Sequence, residues 1–256
     1  FAQRRGIVDA PDGPTPFRSP APPLAPPLKE GEKRERRKLH SRPTPLLGGI
    51  AIYLAFTIAL GIVAWWSRAP FEGRISPVEL GAVFLGGFIL IIGGSLDDRY
   101  RLRPSRQFMF PLIAVSVVAA AGVGISKITN PFGGVLTLAP WMTVAFTALW
   151  LLGTMYTTKL LDGLDGLVAG ITAIGATMIV ALSLTARYYQ PDVAVIAAAL
   201  AGATIGFLWF NFHPARIFLG EGGSTLCGFL LGVLAIISGG KIATALLVMG
   251  IPVVDV

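Results

Sequence analysis

The amino-acid sequence predicts an all-α, polytopic membrane helical bundle with about eight transmembrane helices. Two observations lead to this class. Apolar side chains make up 54% of the 256 residues and charged side chains only 14%, with a mean hydropathy of +0.70, whereas soluble domains contain about 45–50% and about 25%. The apolar residues also occur in blocks of 15–21 residues, close to the length of about 20 at which a helix crosses about 30 Å of hydrocarbon. A single large soluble core is therefore excluded.

Short polar stretches separate the apolar blocks, and each block is predicted to form one helix because no charge interrupts its middle. In chain order the blocks are 46–66, 78–95, 108–125, 141–158, 166–186, 193–212, 224–238 and 242–256. The chain begins at Phe1 and ends at Val256, inside the last block. We therefore expect a piece of a longer protein.

The first 45 residues differ in kind from the rest. They are Pro-rich up to Pro27 and strongly charged from Lys29 to Lys38, a composition that cannot bury a core. We predict a cytoplasmic N-terminal segment at 1–45 that contains this insertion, followed by a transmembrane domain at 46–256 that is incomplete at both ends.

The distribution of Lys and Arg predicts the orientation of the chain. The formal net charge is +7, which in a soluble protein would suggest nucleic-acid binding. If the chain changes side at each apolar block, sixteen of the 21 Lys and Arg residues fall on one face and five on the other. Because the Lys- and Arg-rich face of a membrane protein is the cytoplasmic one, we predict a multi-pass protein of the inner or plasma membrane with no nucleic-acid partner.

Six carboxylates at the borders of the apolar blocks all fall on the predicted cytoplasmic face. They are Asp97, Asp98, Asp162, Asp165, Glu221 and Asp255. Acids at such borders cost free energy unless they are paired or hydrated, so their presence favours a functional role. The alternative is that they are solvated charges in loops. No His or Cys is adjacent to them, and the one cysteine, Cys227, lies inside a block. These hard oxygen ligands suit Mg²⁺, with Mn²⁺ as an alternative ion.

Two of the acidic clusters lie among glycines. Asp162 and Asp165 are three residues apart, so they would share one side of a helical turn if the segment is helical. Glu221 stands in a Gly-rich run that opens the seventh block, where backbone N–H groups and a hydroxyl are suited to a phosphate and its metal. A helix cap by Ser224 is the alternative for that run.

The third cluster, Asp97 and Asp98, is followed by four arginines: Arg99, Arg101, Arg103 and Arg106. These cations are either determinants of topology or ligands of anionic head groups. Cations next to metal-binding acids are what a diphosphate substrate requires.

Six motifs occur in one order over nearly the whole chain: IVDAP at 7–11, KLHSRPTPLLGG at 38–49, GSLDD at 94–98, DGLDGL at 162–167, NFHPARIFLGEGGS at 211–224 and IPVVD at 251–255. Together they resemble the polyprenyl-phosphate N-acetylhexosamine-1-phosphate transferases, glycosyltransferase family 4. The resemblance implies about ten or eleven helices in the full protein. It also implies transfer of a sugar-1-phosphate from a UDP-sugar to a membrane polyprenyl phosphate, with release of UMP and with Mg²⁺ at the cytoplasmic face.

Within this family, the run Pro43-Thr44-Pro45 is more similar to the branch that transfers GlcNAc-1-phosphate. The phospho-MurNAc-pentapeptide transferases are the alternative branch. Either activity would be the first membrane step of cell-envelope glycan synthesis.

The resemblance also implies roles for individual residues. Asp97 or Asp98 would deprotonate or orient the lipid phosphate, and Asp162 and Asp165 would join them as catalytic acids. The metal ligands would be Glu221, Asp98 and Asp165. Contacts to substrate would come from Lys159, Asn211, His40 and Arg106, with Lys38 as a further candidate. Anchoring at the membrane interface is the alternative for Lys38, His40 and Arg106.

This chain departs from the family pattern at two of these positions. Lys159 stands where the family usually has Asn, and Glu221 where it usually has Asp. We expect Lys159 to pair with Asp162 or to touch phosphate. Residues 12–37 lengthen a connection that is ordinarily short.

Two other classes of membrane protein are alternatives. A secondary transporter also concentrates acids at membrane borders, but its coupling residues lie near the bilayer midplane in broken helices. A CDP-alcohol phosphotransferase also begins its motif with Asp-Gly, but its downstream Ala-Arg and Gly-spaced acids are absent after Asp162. A homodimer is left open.

Overall fold

The structure is a computed structural model and describes residues 8–9, 44–66, 73, 75–129, 134–186 and 189–239. Within these ranges the helices are α1 (Gly48–Trp66), α2 (Pro77–Tyr100), α3 (Pro104–Ala120), α4 (Pro140–Leu161), α5 (Leu167–Ser183), α6 (Pro191–Asn211) and α7 (Gly220–Ile237). Helices α1, α2, α4, α6 and α7 are long and apolar enough to cross a membrane, and α3 and α5 are shorter apolar helices of 17 residues each. The predicted polytopic membrane helical bundle is confirmed.

Seven of the predicted apolar blocks correspond to these helices in the same order, and the eighth, 242–256, lies outside the described residues. The helices do not begin and end where the apolar blocks do. Backbone hydrogen bonds, Pro and Gly set the ends of a helix, whereas apolarity alone does not. Helix α2 runs on through Asp97 and Asp98 and ends before Arg101, whose left-handed backbone stops it. Four helices carry Pro in their first turn, where its missing N–H costs nothing: Pro77, Pro104, Pro140 and Pro191.

Helix α7 is the central helix of the bundle. Of its 18 residues, 89% are buried inside the bundle. It contacts α1, α2, α4, α5 and α6. The other helices contact one another in chain order from α1 to α6, and α6 contacts α1 again. Five of the described helices therefore pack against α7, so the residues at its N-terminus lie among the ends of several other helices.

Glycines allow α7 to pack this closely. Gly49 of α1 lies against Gly223, and Gly94 of α2 lies against Gly222. A β-carbon at any of these four positions would crowd backbone atoms of the facing helix. Small residues at helix contacts are the usual way in which membrane helices approach one another.

Two short antiparallel ladders accompany the helices. Strand β1 (Val8–Asp9) pairs with β2 (Thr44–Pro45), and β3 (Lys127–Thr129) pairs with β4 (Val135–Thr137). The sequence did not predict them because two or three residues are too short to show a strand pattern. The predictions for residues 10–43, which include Lys38, His40 and the insertion, lie outside the described residues.

Candidate active site

Several helix ends meet at one end of the bundle, which we call the site end. The N-terminus of α1 joins the connection between α6 and α7, because the backbone N–H groups of Gly48 and Gly49 donate to the carbonyl oxygens of Phe218 and Leu219, at 3.0 and 2.9 Å. The α2–α3 and α4–α5 connections reach the same place. The described acids of the predicted site all lie here: Asp97, Asp98, Asp162, Asp165 and Glu221.

Asp97 fixes the turn between α2 and α3. Only 8% of the residue is exposed, and its carboxylate accepts hydrogen bonds from Leu102 N, at 2.8 Å, and from Gln107 Nε2. These two donors come from the far side of the turn, so both oxygens of Asp97 are engaged in holding α3 against α2.

Asp98 faces the N-terminus of α7. Its Oδ1 accepts a hydrogen bond from the Glu221 backbone N–H at 3.2 Å, where the helix dipole favours a negative charge. Its Oδ2 lies beside Gly220, which has φ +75°, and a β-carbon on Gly220 would be 2.6 Å from that oxygen. Glycine is required here both for its left-handed backbone and for the close approach of Asp98.

Glu221, in the first turn of α7, forms an ion pair with Lys159 of α4. Lys159 Nζ is 2.9 Å from Glu221 Oε2, and the two side chains are 20% and 33% exposed. Nζ also lies 5.8 Å from the centre of the Tyr156 ring, which stacks on Phe108 of α3. The expected partners of Lys159 were Asp162 or a phosphate; the structure pairs it with Glu221.

Asp162 lies in a series of turns between α4 and α5, so the helical segment that would place it on one side with Asp165 is absent. The residue as a whole is exposed, but its carboxyl group is within hydrogen-bonding reach of the Ser224 hydroxyl. Removal of water from that carboxyl, together with the negative charges of Glu221 and Asp98, raises the pKa of Asp162 to about 7. Asp162 thus belongs with the acids around α7.

The alternative reading of Ser224 as a helix cap is wrong. Helix α7 begins at Gly220, four residues earlier than the predicted block, and the Ser224 hydroxyl bonds the carbonyl oxygen of Gly220 at 3.2 Å from inside the helix. The Gly-rich sequence hid these first residues because glycine is a poor helix former.

Asp165 contacts a different part of the site end. Its Oδ2 accepts a hydrogen bond from the Ala215 N–H at 3.1 Å and lies 3.0 Å from His213 Nδ1. Both partners belong to the connection after α6. These contacts place Asp165 against the α6–α7 connection, and its role as a metal ligand stays a prediction.

Asn211 clamps two connections together. It is 4% exposed; its Oδ1 accepts a hydrogen bond from Gly166 N at 3.1 Å and its Nδ2 donates one to Ile217 O at 2.9 Å. Its amide is thus engaged in structure, and its contact to substrate stays a prediction. Arg106 is exposed on α3, and its role in substrate binding is likewise untested.

Comparison with known proteins places this arrangement in a family. Residues 80–239, more than half of the chain, match the family model described as glycosyl transferase family 4. The chain belongs to glycosyl transferase family 4. The resemblance drawn from the six motifs is thereby confirmed.

Curated relatives of this family 4 chain come from both branches. A Bacillus subtilis protein described as a probable undecaprenyl-phosphate N-acetylglucosaminyl 1-phosphate transferase is 30% identical over 230 residues, covering 88% of this chain and 61% of the relative. The decaprenyl-phosphate N-acetylglucosaminephosphotransferase of Mycolicibacterium smegmatis is 34% identical over 217 residues, 81% of this chain and 53% of the relative. The phospho-N-acetylmuramoyl-pentapeptide-transferase of Rubrobacter xylanophilus is 33% identical over 207 residues, which cover 76% of this chain and 61% of the relative. The chain thus spans 53–61% of the length of these relatives.

The carboxylates of this family 4 site are hard oxygen donors, the kind of ligand that a divalent cation such as Mg²⁺ prefers. Asp98, Asp162 and Glu221 lie close enough to act on one another electrostatically. Within the described ranges, however, no group of three or more His, Cys, Asp or Glu side chains could hold a metal ion. Mg²⁺ is usually held by one or two carboxylates together with substrate phosphates, and this mode needs no larger protein cage.

A crevice opens beside the ion pair, between α2, α3, α4 and α7. Its polar lining consists of Asp97, Gln107, Tyr156, Lys159, Glu221 and Thr225, and the rest is largely apolar. The sequence reasoning missed Tyr156, Gln107 and Thr225. Tyr156 lies three positions before Lys159 and so shares its helix face, and Gln107 is a polar side chain in the first two turns of an apolar helix. Both signals were readable from the sequence.

Proposed function

We propose that this family 4 chain forms the core of an enzyme that transfers a sugar-1-phosphate, N-acetylhexosamine-1-phosphate, from a UDP-sugar to a membrane polyprenyl phosphate. The observation that carries the proposal is the cluster of Asp98, Glu221 and Lys159 at the N-terminus of the buried central helix, at one end of a membrane bundle. The names of the relatives support the lipid and the sugar. The product would enter cell-envelope glycan synthesis.

The reaction exchanges one phosphorus–oxygen bond for another. An oxygen of the lipid phosphate forms a bond to the β-phosphorus of the UDP-sugar, and the bond from that phosphorus to the oxygen bridging the α-phosphate breaks. UMP leaves with the electron pair of the broken bond. The net exchange is the same for direct attack and for a covalent enzyme phosphate.

We assign different roles to the two neighbouring acids, and their contacts support this assignment. Asp97 is committed to Leu102 and Gln107, so it acts as a positioning residue that shapes the crevice. Asp98 at the helix N-terminus is the acid we assign to orienting or deprotonating the lipid phosphate. Lys159 supplies positive charge toward the diphosphate. Mg²⁺ held by Glu221 and Asp98 would neutralise charge on the diphosphate and on the leaving UMP.

The direct test is release of UMP by the purified full-length protein with polyprenyl phosphate and a panel of UDP-sugars. We expect release with UDP-GlcNAc that stops on chelation and returns with Mg²⁺, and Lys127→Gln, a change at the opposite end of the bundle, should be as active as the parent. Release only with UDP-MurNAc-pentapeptide would assign the alternative branch. No release with any UDP-sugar would refute the transferase.

The transporter alternative conflicts with the positions of the acids. Glu221 and Asp98 lie in the first and last turns of α7 and α2, whereas transporter coupling sites lie near the bilayer midplane in broken helices. The transferase proposal requires these helix ends to face the cytoplasm of a multi-pass inner or plasma membrane protein.

Single cysteines in a Cys227→Ala background test this orientation. Ser105, at the site end, should be labelled only from the cytoplasmic side. Ser126, exposed just before β3 at the opposite end, should be labelled only from outside. Labelling of both from one side would refute the topology.

A further inference from the structure

The ion pair between Lys159 and Glu221 joins two helices within the candidate site. Lys159 comes from the last turn of α4 and Glu221 from the first turn of α7, and their charged atoms are 2.9 Å apart. Both side chains are mostly covered, at 20% and 33% exposure. The ammonium therefore lies directly on the carboxylate that the proposed function assigns to a divalent cation.

The charges around this pair are mostly negative. Asp98 and Asp162 both act electrostatically on Glu221 or are acted on by it, and Lys159 acts on Asp98 with the opposite sign. One lysine thus partly neutralises several acids that have been brought together at the N-terminus of α7.

Lys159 also lines the crevice beside the ion pair. Its Nζ lies against the Tyr156 ring, 5.8 Å from the ring centre, and both residues line the crevice between α2, α3, α4 and α7. The lysine stem has several rotatable bonds. Rotation about these bonds is the movement by which the ammonium would leave Glu221 for a group in the crevice.

We propose that Lys159 is an internal counter-cation, which rests on Glu221 when the site holds no substrate and moves to the diphosphate of the nucleotide when that binds. This inference rests on the proposed function. In the substrate-free protein, Lys159 and a divalent cation compete for Glu221, so the cation binds weakly. A nucleotide diphosphate gives Lys159 a second partner and leaves Glu221 to the cation.

The proposal predicts coupled binding. If the nucleotide removes Lys159 from Glu221, it strengthens cation binding, and the cation must strengthen nucleotide binding by the same factor. A lysine that is only structural would stay on Glu221 and produce no such coupling.

The experiment is a Mn²⁺ titration of the purified full-length protein, read as free Mn²⁺ by electron paramagnetic resonance, without and with UDP. Without UDP, Lys159→Gln and Lys159→Asn should each bind Mn²⁺ about fivefold more tightly than the parent, the factor that a partly exposed ion pair of about 1 kcal/mol represents. Lys159→Arg keeps the charge and should match the parent. Glu221→Gln should weaken binding, which locates the ion.

The UDP arm gives a second measurement that does not depend on a neutral variant folding. UDP should increase Mn²⁺ affinity in the parent beyond the Mn²⁺–UDP complex measured in buffer, and the gain should be smaller in the Lys159→Gln protein. Lys127→Gln, at the opposite end of the bundle, should behave as the parent in both arms.

Mn²⁺ affinity that is unchanged or weaker in both neutral Lys159 variants, or a parent without any gain from UDP, would overturn the counter-cation proposal. Neither measurement needs a sugar or a lipid. A protein that shows the expected Mn²⁺ behaviour but releases no UMP would therefore refute the transferase activity alone, and the reverse result would refute only the role of Lys159.

Discussion

The two ends of the bundle use carboxylates in different ways. At the end opposite the site, Glu79 and Ser76 form a capping box at the start of α2, with bonds of 2.7 and 3.2 Å between each side chain and the other residue's backbone N–H. Asp192, 2% exposed in the first turn of α6, accepts a hydrogen bond from the backbone N–H of Ile75 at 3.1 Å. These acids complete helix ends and chain turns.

At the site end, carboxylates make contacts between separate helices. Glu221 of α7 contacts Lys159 of α4, and Asp98 of α2 contacts the N-terminus of α7. Asp162 approaches both of them from the α4–α5 connection. The acids of the opposite end complete backbone hydrogen bonds of the fold, whereas Asp98, Asp162 and Glu221 come from separate elements and repel one another, and a bound cation would relieve that repulsion. Among the described residues, this difference favours the site end as the place of the proposed chemistry.

The largest expected effect is on Asp98. Asp98→Asn keeps an oxygen for the Glu221 N–H but removes the charge, so turnover should fall by about 10²–10³-fold, as when a group that acts on developing charge is lost. Asp192→Asn is the matched change at the opposite end and should lower the melting temperature more than the rate per folded molecule. UMP release and thermal unfolding measure both. An Asp98→Asn protein with near-parental turnover would contradict the assignment of functional acids to the site end and structural acids to the opposite end.

Glu221 should respond to both charge and length. Glu221→Gln removes the charge, so turnover should fall about 10²-fold, the cost of a misplaced catalytic constellation, and the Mg²⁺ concentration for half-maximal rate should rise. Glu221→Asp restores the residue usual in the family but shortens the reach of the carboxylate by one methylene in a site built around Glu, so it should also be slower than the parent. Mg²⁺ titrations of turnover give both values. Unchanged Mg²⁺ dependence in the Gln variant would indicate that other acids bind the cation.

A variant of Asn211 tests whether this buried residue, which joins two connections at the site end, has only a structural role. Asn211→Ala leaves Gly166 N and Ile217 O without the amide, and each unsatisfied buried group costs about 1–3 kcal/mol. We expect a lower melting temperature together with about tenfold slower turnover, because the connection that carries Asp162 and Asp165 loses its tether. Full stability with a large rise in KM alone would instead indicate direct contact with substrate.

The smallest expected effects separate two glycines of α2. Gly94→Ala places a β-carbon against Gly222 of the central helix and should destabilise by about 1–3 kcal/mol, as overpacking does. Gly81→Ala, in the same helix with open space around it, should be neutral or stabilising by about 0.5–1 kcal/mol. Thermal unfolding in one detergent compares them. Equal stabilities would mean that α7 is less tightly enclosed than the structure shows.

Prediction from the sequence succeeded for features that are encoded in continuous stretches of residues. Seven apolar blocks, their order and the placement of the acids at helix borders followed from composition and spacing, and six motifs identified the family. The starts of helices were less predictable. Gly220 begins α7 inside a Gly-rich run, and the short β3–β4 ladder left no strand pattern.

The sequence by itself determined the membrane class, the chain order of the helices and the family, because hydrophobic length and motif order are properties of neighbouring residues. Only the tertiary structure decided which side chains meet. Asp97 and Asp98 are adjacent, yet one holds a turn and the other reaches α7; Lys159 selects Glu221 over Asp162. Each successive residue of a helix points about 100° away from the last, so partners across helices depend on how the helices are rotated and packed around α7, which no local pattern records.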